Sequence, residues 1–232
     1  MIGAGYPKPT DKFFVNDFAG VISAEDEEKI YGAGVDLYNK TTAQVVVVTV
    51  NTLEGQDIRE YGYMLGREWG VGYAEKNNGV LLILAVQDRE ISIEVGYGLE
   101  GVLTDIKTGR MLDDYAMPYL KREDYSTALV QTYGALVNEL AEYYDVKIDS
   151  AIDVEQHTLS FDFMKVLGVL ILVLFISSFF GSGRRFILFP GFFRFGGGRG
   201  GFGGFSGGGR GGFGGFSGGG GSFGGGGSSR KF

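Results

Sequence analysis

The chain of 232 residues has room for one domain of ordinary size and a second region of different character. All 28 acidic residues lie at or before Asp162, and residues 1–153 hold 13 Lys+Arg against 26 Asp+Glu, a formal charge near −13. Such a segment repels nucleic acid and anionic membrane surfaces, and the lack of cysteine excludes disulfides, thiolate metal sites and cysteine nucleophiles.

Residues 1–12 read as an N-terminal extension whose opening, MIGAGYPKPT, has no apolar run of a secretory signal. Ser23 then suits an N-cap, with Glu25, Asp26 and Glu27 in the first turn and Ile30, Ala33, Leu37 and Tyr38 at helical spacing. AQVVVVTV (residues 43–50) is a β-branched run suited to a buried strand. Asp57 caps a second helix to about Trp69. NGVLLILAV (78–86) is the next buried strand, QDR a hairpin turn, and EISIEV (90–95) alternates as a half-exposed strand. Thr104 or Asp105 caps a third helix that stops near Pro118, and Ser126 begins a fourth in which Leu129, Tyr133, Leu136 and Leu140 share a face. The order αβαββαα predicts an α/β domain over residues 13–146. Its small mixed sheet has one parallel pair, an antiparallel third strand, and a cover of helices.

Residues 147–165 read as a juxtamembrane linker. The stretch that follows, VLGVLILVLFISSFFGSG (166–183), has no charge over 18 residues, the lower limit for a transmembrane helix. Its flanks, Lys165 on one side and Arg184 with Arg185 on the other, place the basic region after it in the cytoplasm and the acidic domain outside, in a single pass of the cell membrane. FILFPGFF, within residues 184–195, is too short to span, is broken by Pro190, and reads as interfacial. Residues 196–232 are a Gly/Phe/Ser-rich tail in which RGGFGGFSGGG occurs twice in succession. That composition buries too little apolar area to offset its ordering entropy, so disorder is expected. Weak nucleic-acid binding of the Arg-Gly-Gly type is the alternative for this tail, although two such units supply few cationic contacts.

EVGYGLEGVLTD (94–105) contains a literal G-x-G-x-x-G at Gly96, Gly98 and Gly101. A dinucleotide fingerprint follows the first strand and opens directly into a helix. Here the preceding strand is the third, Glu100 would oppose a diphosphate, and no Lys or Arg lies between Glu94 and Ile106. Two readings remain for the loop. In one, Glu100 and Asp105 are hard oxygen ligands for a divalent cation, completed by turn carbonyls and the Asn77 and Asn78 amides, which the hairpin brings close. Alternatively, Asp105 caps its helix and Glu100 is solvated.

NDFAGVIS (16–23), NNGVLLILAV (77–86), DREISIEVGYGLEGVLTD (88–105) and REDYSTAL (122–129) together resemble the TPM domain family, which includes YgcG-like bacterial membrane proteins. The resemblance implies an α/β/α sandwich, an extracytoplasmic or lumenal domain, and an acidic surface site for calcium in preference to magnesium. It also implies accessory roles in membrane complexes, or a phosphatase activity assigned through a plant thylakoid relative. On the matching motifs the expected metal ligands are Glu100, Asp105, Asp17 and Asn78, while Asp88 and Asp124 are expected as turn and cap residues.

For a phosphatase the chain offers little. His157, its only histidine, lies in the linker, and no D-x-D motif occurs, which leaves a carboxylate-held metal assisted by Arg89, Arg110 or Arg122. The favoured expectation is a calcium-binding accessory module for an unknown membrane-protein partner, or one that self-associates through its tail. Metal-dependent phosphomonoester hydrolysis is the alternative.

Overall fold

The computed structural model of the chain describes residues 6–155, 172 and 223–232. The expected span (166–183) apart from Leu172, the interfacial segment (184–195) and most of the tail lie outside them. Among the described residues no helix is long and apolar enough to cross a membrane.

Five strands form one mixed sheet in the order β1-β2-β3-β4-β5. β1 (Val15–Asp17), β2 (Gln44–Val50) and β3 (Gly79–Ala85) run parallel, and β4 (Glu90–Gly96) returns antiparallel to β3. The β2–α2–β3 unit and the β3–β4 hairpin were both legible in the sequence; β1, three residues long, was not. The uniformly apolar run of β2 follows from burial on both faces. Val45 and Val47 point into a core shared with α1 (Ala24–Thr41) and α5 (Tyr125–Tyr143), whereas Val46, Val48 and Val50 meet α2 (Ile58–Trp69) on the other face.

The helix ends follow local chemistry. Ser23 accepts the Asp26 N–H at 3.2 Å, and Asp57 accepts from Arg59 and Glu60 at 3.0 and 3.1 Å. Gly70, at φ 62°, closes α2 in the left-handed conformation that glycine adopts without strain. The expected third helix is α3 (Asp105–Met111), a wide turn over Leu112–Ala116, and α4 (Met117–Leu120). Asp124, two residues before the expected start at Ser126, caps α5. The Ser126 hydroxyl instead donates to Asp26 at 2.6 Å and accepts the Ser23 N–H at 2.9 Å, tying the first turns of α1 and α5 together.

Both domain limits extend beyond the expected 13–146. Trp69 donates its indole N–H to the Pro7 carbonyl at 2.8 Å, and its ring packs against Phe13 and Phe18. Ile148 and Ile152, expected in a linker, are buried against α5, where a Cβ on Gly134 would lie 2.9 Å from Ile152 Cβ.

The larger correction concerns the tail. Residues of the segment expected to be disordered form β5 (Phe223–Lys231), antiparallel to β4, with Glu90 opposite Lys231, Ser92 opposite Ser229 and Val95 opposite Gly226. Averaged over the whole tail, glycine content hides this end. The backbone ladder and the charges of Arg230 and Lys231 stabilise it where apolar burial does not.

Gly34 sets how closely α1 approaches its neighbours: a Cβ there would lie 2.8 Å from Phe14 Cγ and collide with the Tyr133 hydroxyl. Gly34→Ala gains about 1 kcal/mol of helix propensity and loses about 1–3 kcal/mol to overpacking. Chemical denaturation should therefore show a net destabilisation on the order of 1 kcal/mol, and a more stable variant would contradict this packing.

Candidate functional site

The 96–105 loop begins where β4 ends. Gly96 and Gly98 pass so close to the Lys76 and Asn77 carbonyls that a Cβ at either position would collide with them, and Gly98 N–H donates to Asn77 O at 3.0 Å. The expected approach of this loop to residues 77 and 78 is therefore present, and backbone clearance is the reason for these glycines. Tyr97–Leu99 forms one tight turn that buries Leu99, Leu103 adds a second buried anchor, and Thr104 caps α3 by accepting from Lys107 at 3.3 Å.

Glu100 and Asp105 come together on β5. The Asp105 carboxylate accepts the Gly227 N–H at 2.8 Å, and a Cβ on Gly226 would lie 3.0 Å from Glu100 Cγ. Asn78 and Asp17 take other roles. Asn78, at the start of β3 and 1% exposed, accepts from Tyr73 N–H at 2.9 Å and donates to the Thr42 hydroxyl at 3.3 Å. Asp17 accepts from Val21 and Ile22 N–H at 3.1 and 2.8 Å and from the Thr49 hydroxyl. It pairs in register with Thr49 and through it with Leu84, whereas Gly79 pairs with Gln44. Five residues of strand thus separate the level of Asp17 from the end that carries Asn78, on the order of 16 Å.

The four expected ligands therefore do not assemble one calcium shell of six to eight oxygens. No group of three or more His, Cys, Asp or Glu suited to a metal occurs among the described residues. Asp88 accepts the Leu53 N–H at 2.8 Å and Asp124 caps α5, the turn and cap roles expected of them.

β5 is gripped along its length. Arg230 forks onto Asp113 at 2.7 and 2.8 Å and donates to Gly109 O at 3.1 Å. Lys231 pairs with Glu90 at 2.6 Å. Arg89 donates Nε–H to the Phe232 carbonyl at 2.6 Å, accepts the Phe232 N–H at 3.0 Å, and lays its guanidinium over the Phe232 ring at 4.9 Å. The Arg230 hydrogen bond holds the Asp113 carboxyl below the usual carboxylate range. With these side chains 32% and 51% exposed, solvent screening leaves that pair below about 1 kcal/mol. Position along the strand is thus specified more than it is stabilised.

One residue escaped the sequence reading. Glu94 lies in β4 on the face that α2 covers and is 2% exposed. Its partners are the Ser92 hydroxyl and the Arg59 guanidinium, with Arg59 Nε at 3.4 Å. Burial raises its pKa from 4.5 to about 7, against the opposing effects of Ser92 and Arg59. The pattern Glu90, Ser92, Glu94 suggested a solvated face. The overlooked signal was Gly62 in α2, whose missing side chain leaves room for Glu94: a Cβ there would lie 2.8 Å from Glu94 Cγ.

A model of the TPM domain family matches residues 15–139 of the chain. Among solved structures, the solution NMR structure of the N-terminal domain of a protein from P.gingivalis is similar at 30% identity and a TM-score of 0.54, covering 57% of this chain and 85% of that one. The NMR structure of BA42 protein from the psychrophilic bacterium Bizionia argentinensis has 22% identity and a TM-score of 0.48, with 62% and 97% covered. The N-terminal domain of cg2496 protein from Corynebacterium glutamicum has 22% identity and a TM-score of 0.44, with 67% and 94% covered. No curated protein matches the chain.

The Glu94 shift has a signed consequence for stability. Between pH 4.5 and about 7 the folded state holds a proton that the unfolded state releases, so stability falls as pH rises through that window and levels off above it. The full effect is on the order of 3 kcal/mol. Melting curves should show Tm decreasing from pH 5 to pH 8, and Glu94→Gln should flatten that slope. An unchanged slope in the variant would assign the titration elsewhere.

Proposed function

As the chain belongs to the TPM domain family, we propose that it acts by contact, not by chemistry, as an accessory module that docks a partner chain beside a membrane, its domain outside the cytoplasm. One observation carries this reading: the acidic side chains beside the β4 edge meet a strand. Asp105, Asp113 and Glu90 all engage β5, while Asp17, Asp88 and Asp124 are spent on backbone N–H groups. Phosphoryl transfer needs positive charge where negative oxygens develop. Arg89 lies at the start of β4, the end of the strand opposite the Glu100 loop, and is held by Phe232 and Glu123. Arg122 bonds to Pro118 O. Purified chain should therefore show no turnover of a phosphomonoester with calcium or magnesium. Turnover that depends on the metal and is lost in Glu100→Gln and Asp105→Asn would overturn the reading.

A second reading, for the ion, rests on Glu100 and Asp105 meeting at β5. Two carboxylates completed by water make a weak divalent site, in the range of about 10⁻⁴–10⁻³ M seen for extracellular modules. An ion there competes with the Gly227 N–H for Asp105.

Membrane association and a cytoplasmic basic tail are separate parts of this reading. The pairing of β5 with β4 of the same chain supports instead a reading in which residues 223–232 share the domain's side of the membrane. With no native cysteine to interfere, single Glu75→Cys and Lys231→Cys variants can be labelled in intact cells with an impermeant maleimide. Both should label equally; labelling of Glu75→Cys alone would restore the single-pass arrangement.

A further inference from the structure

The grip on β5 is selective in a way that pairing to a bare sheet edge does not require. Gly227 sits at φ +133°, and a Cβ there would collide with the Ile93 carbonyl, so the groove admits only a backbone at that point. Three residues further on, Arg230 meets a bidentate acceptor in Asp113 and a carbonyl in Gly109. The next residue, Lys231, meets Glu90. Phe232 then lies under the Arg89 guanidinium and against Tyr125, whose tilted ring has its centroid 6.2 Å away. Shape, charge and ring recognition follow one another in fixed register along the β4 edge.

The domain core, meanwhile, does not depend on this strand. Among the residues whose side chains are described, every buried member of both apolar clusters comes from residues 15–152, and from 226–232 Phe232 alone packs against either, partly buried. β1 to β4 are held by Val, Ile and Leu, whereas the described part of β5, residues 226–232, is held by its ladder, by ion pairs at the surface and by the Phe232 ring. An element of that kind belongs to the low-stability end of a fold and opens without global unfolding.

We propose that the outer edge of β4, with Arg89, Glu90, Asp105 and Asp113, is a peptide-binding groove specific for an extended strand of the form Gly-Gly-x-x-Arg-Lys-Phe, and that residues 226–232 of the same chain are its resident ligand. The inference rests on the reading of the domain as a docking module and names the ligand class. The occupant is the chain's own segment because 67 residues connect Glu155 to Phe223. Covalent connection makes the pairing intramolecular, which favours the chain's own segment over a second copy in dilute solution. Strand addition supplies affinity through the main chain, and the side-chain acceptors supply specificity. When the resident strand leaves, the groove is open to another chain with the same ending.

The test uses the full chain and a variant ending at Ser222, with a fluorescent peptide of residues 223–232 followed by anisotropy. The shortened chain should bind the peptide at micromolar concentrations and the intact chain at least 100-fold more weakly, since its own strand competes. Gly227→Val in the peptide should abolish binding, and Asp113→Lys in the shortened chain should weaken it at least tenfold. A peptide carrying Arg230→Glu should recover binding to that Asp113→Lys chain. Equal binding by intact and shortened chains, or by native and scrambled peptides, would overturn the proposal. If the shortened chain does not fold, hydrogen exchange on the intact chain decides: Arg230→Ala should speed exchange at β4 amides and leave β2 and β3 protected, and no change at β4 would overturn the proposal. Absence of phosphatase turnover with no peptide binding would leave the docking reading standing and remove this ligand.

Discussion

An unpaired sheet edge is costly to leave in water and hazardous to leave open, because its row of N–H and C=O groups will pair with any passing strand. β4 has that problem on its outer side. Its inner side is satisfied by β3, and its residues Ile91, Ile93 and Val95 are fully buried in the core cluster to which α1 and α5 also contribute. The outer backbone groups are satisfied by a strand that over residues 226–231 brings almost no apolar surface of its own. The arrangement explains the charge distribution: Glu90, Asp105 and Asp113 line the edge, and the matching cations sit in the segment that covers it.

The same edge places the two features that first suggested chemistry. The glycine pattern of the 96–105 loop resembles a phosphate cradle in sequence only. In space its first two glycines clear the backbone at residues 76 and 77, and the loop then delivers Glu100 and Asp105 to β5. Glu94 occupies the opposite face of the same strand, buried under α2 with Arg59, where its protonation is coupled to folding between pH 4.5 and about 7. One strand thus carries both the docking edge and a buried carboxyl whose pKa is raised by desolvation.

Much of the fold was legible because local signals agreed with global burial. Ser23 and Asp57 are caps in sequence and in space, the Val run of β2 is buried on both faces, and the 86–89 turn joins an antiparallel pair as its residues suggest. The site was less legible, for particular reasons. Asn78 and Asp17 carry ligand-type side chains, but each is consumed by turn N–H groups that only the tertiary register reveals. Glu94 follows an alternating pattern that signals solvent until Gly62 of α2 is seen to lie over it. β5 was hidden by composition: averaging over a glycine-rich tail obscures a short end whose pairing depends on partners more than 100 residues away, as with Arg230 and Asp113 at a separation of 117.

The most direct measurement of the central claim is a cross-link between the two strands. Glu90 and Lys231 are paired in register, and the native chain has no cysteine, so the double variant Glu90→Cys, Lys231→Cys contains a single possible disulfide. Mild oxidation of the intact chain should give an intramolecular bond, read as a monomer of unchanged mass less two hydrogens that gains thermal stability. Free thiols after oxidation, or a bond found only between separate chains, would show that residues 223–232 do not close the sheet of their own domain.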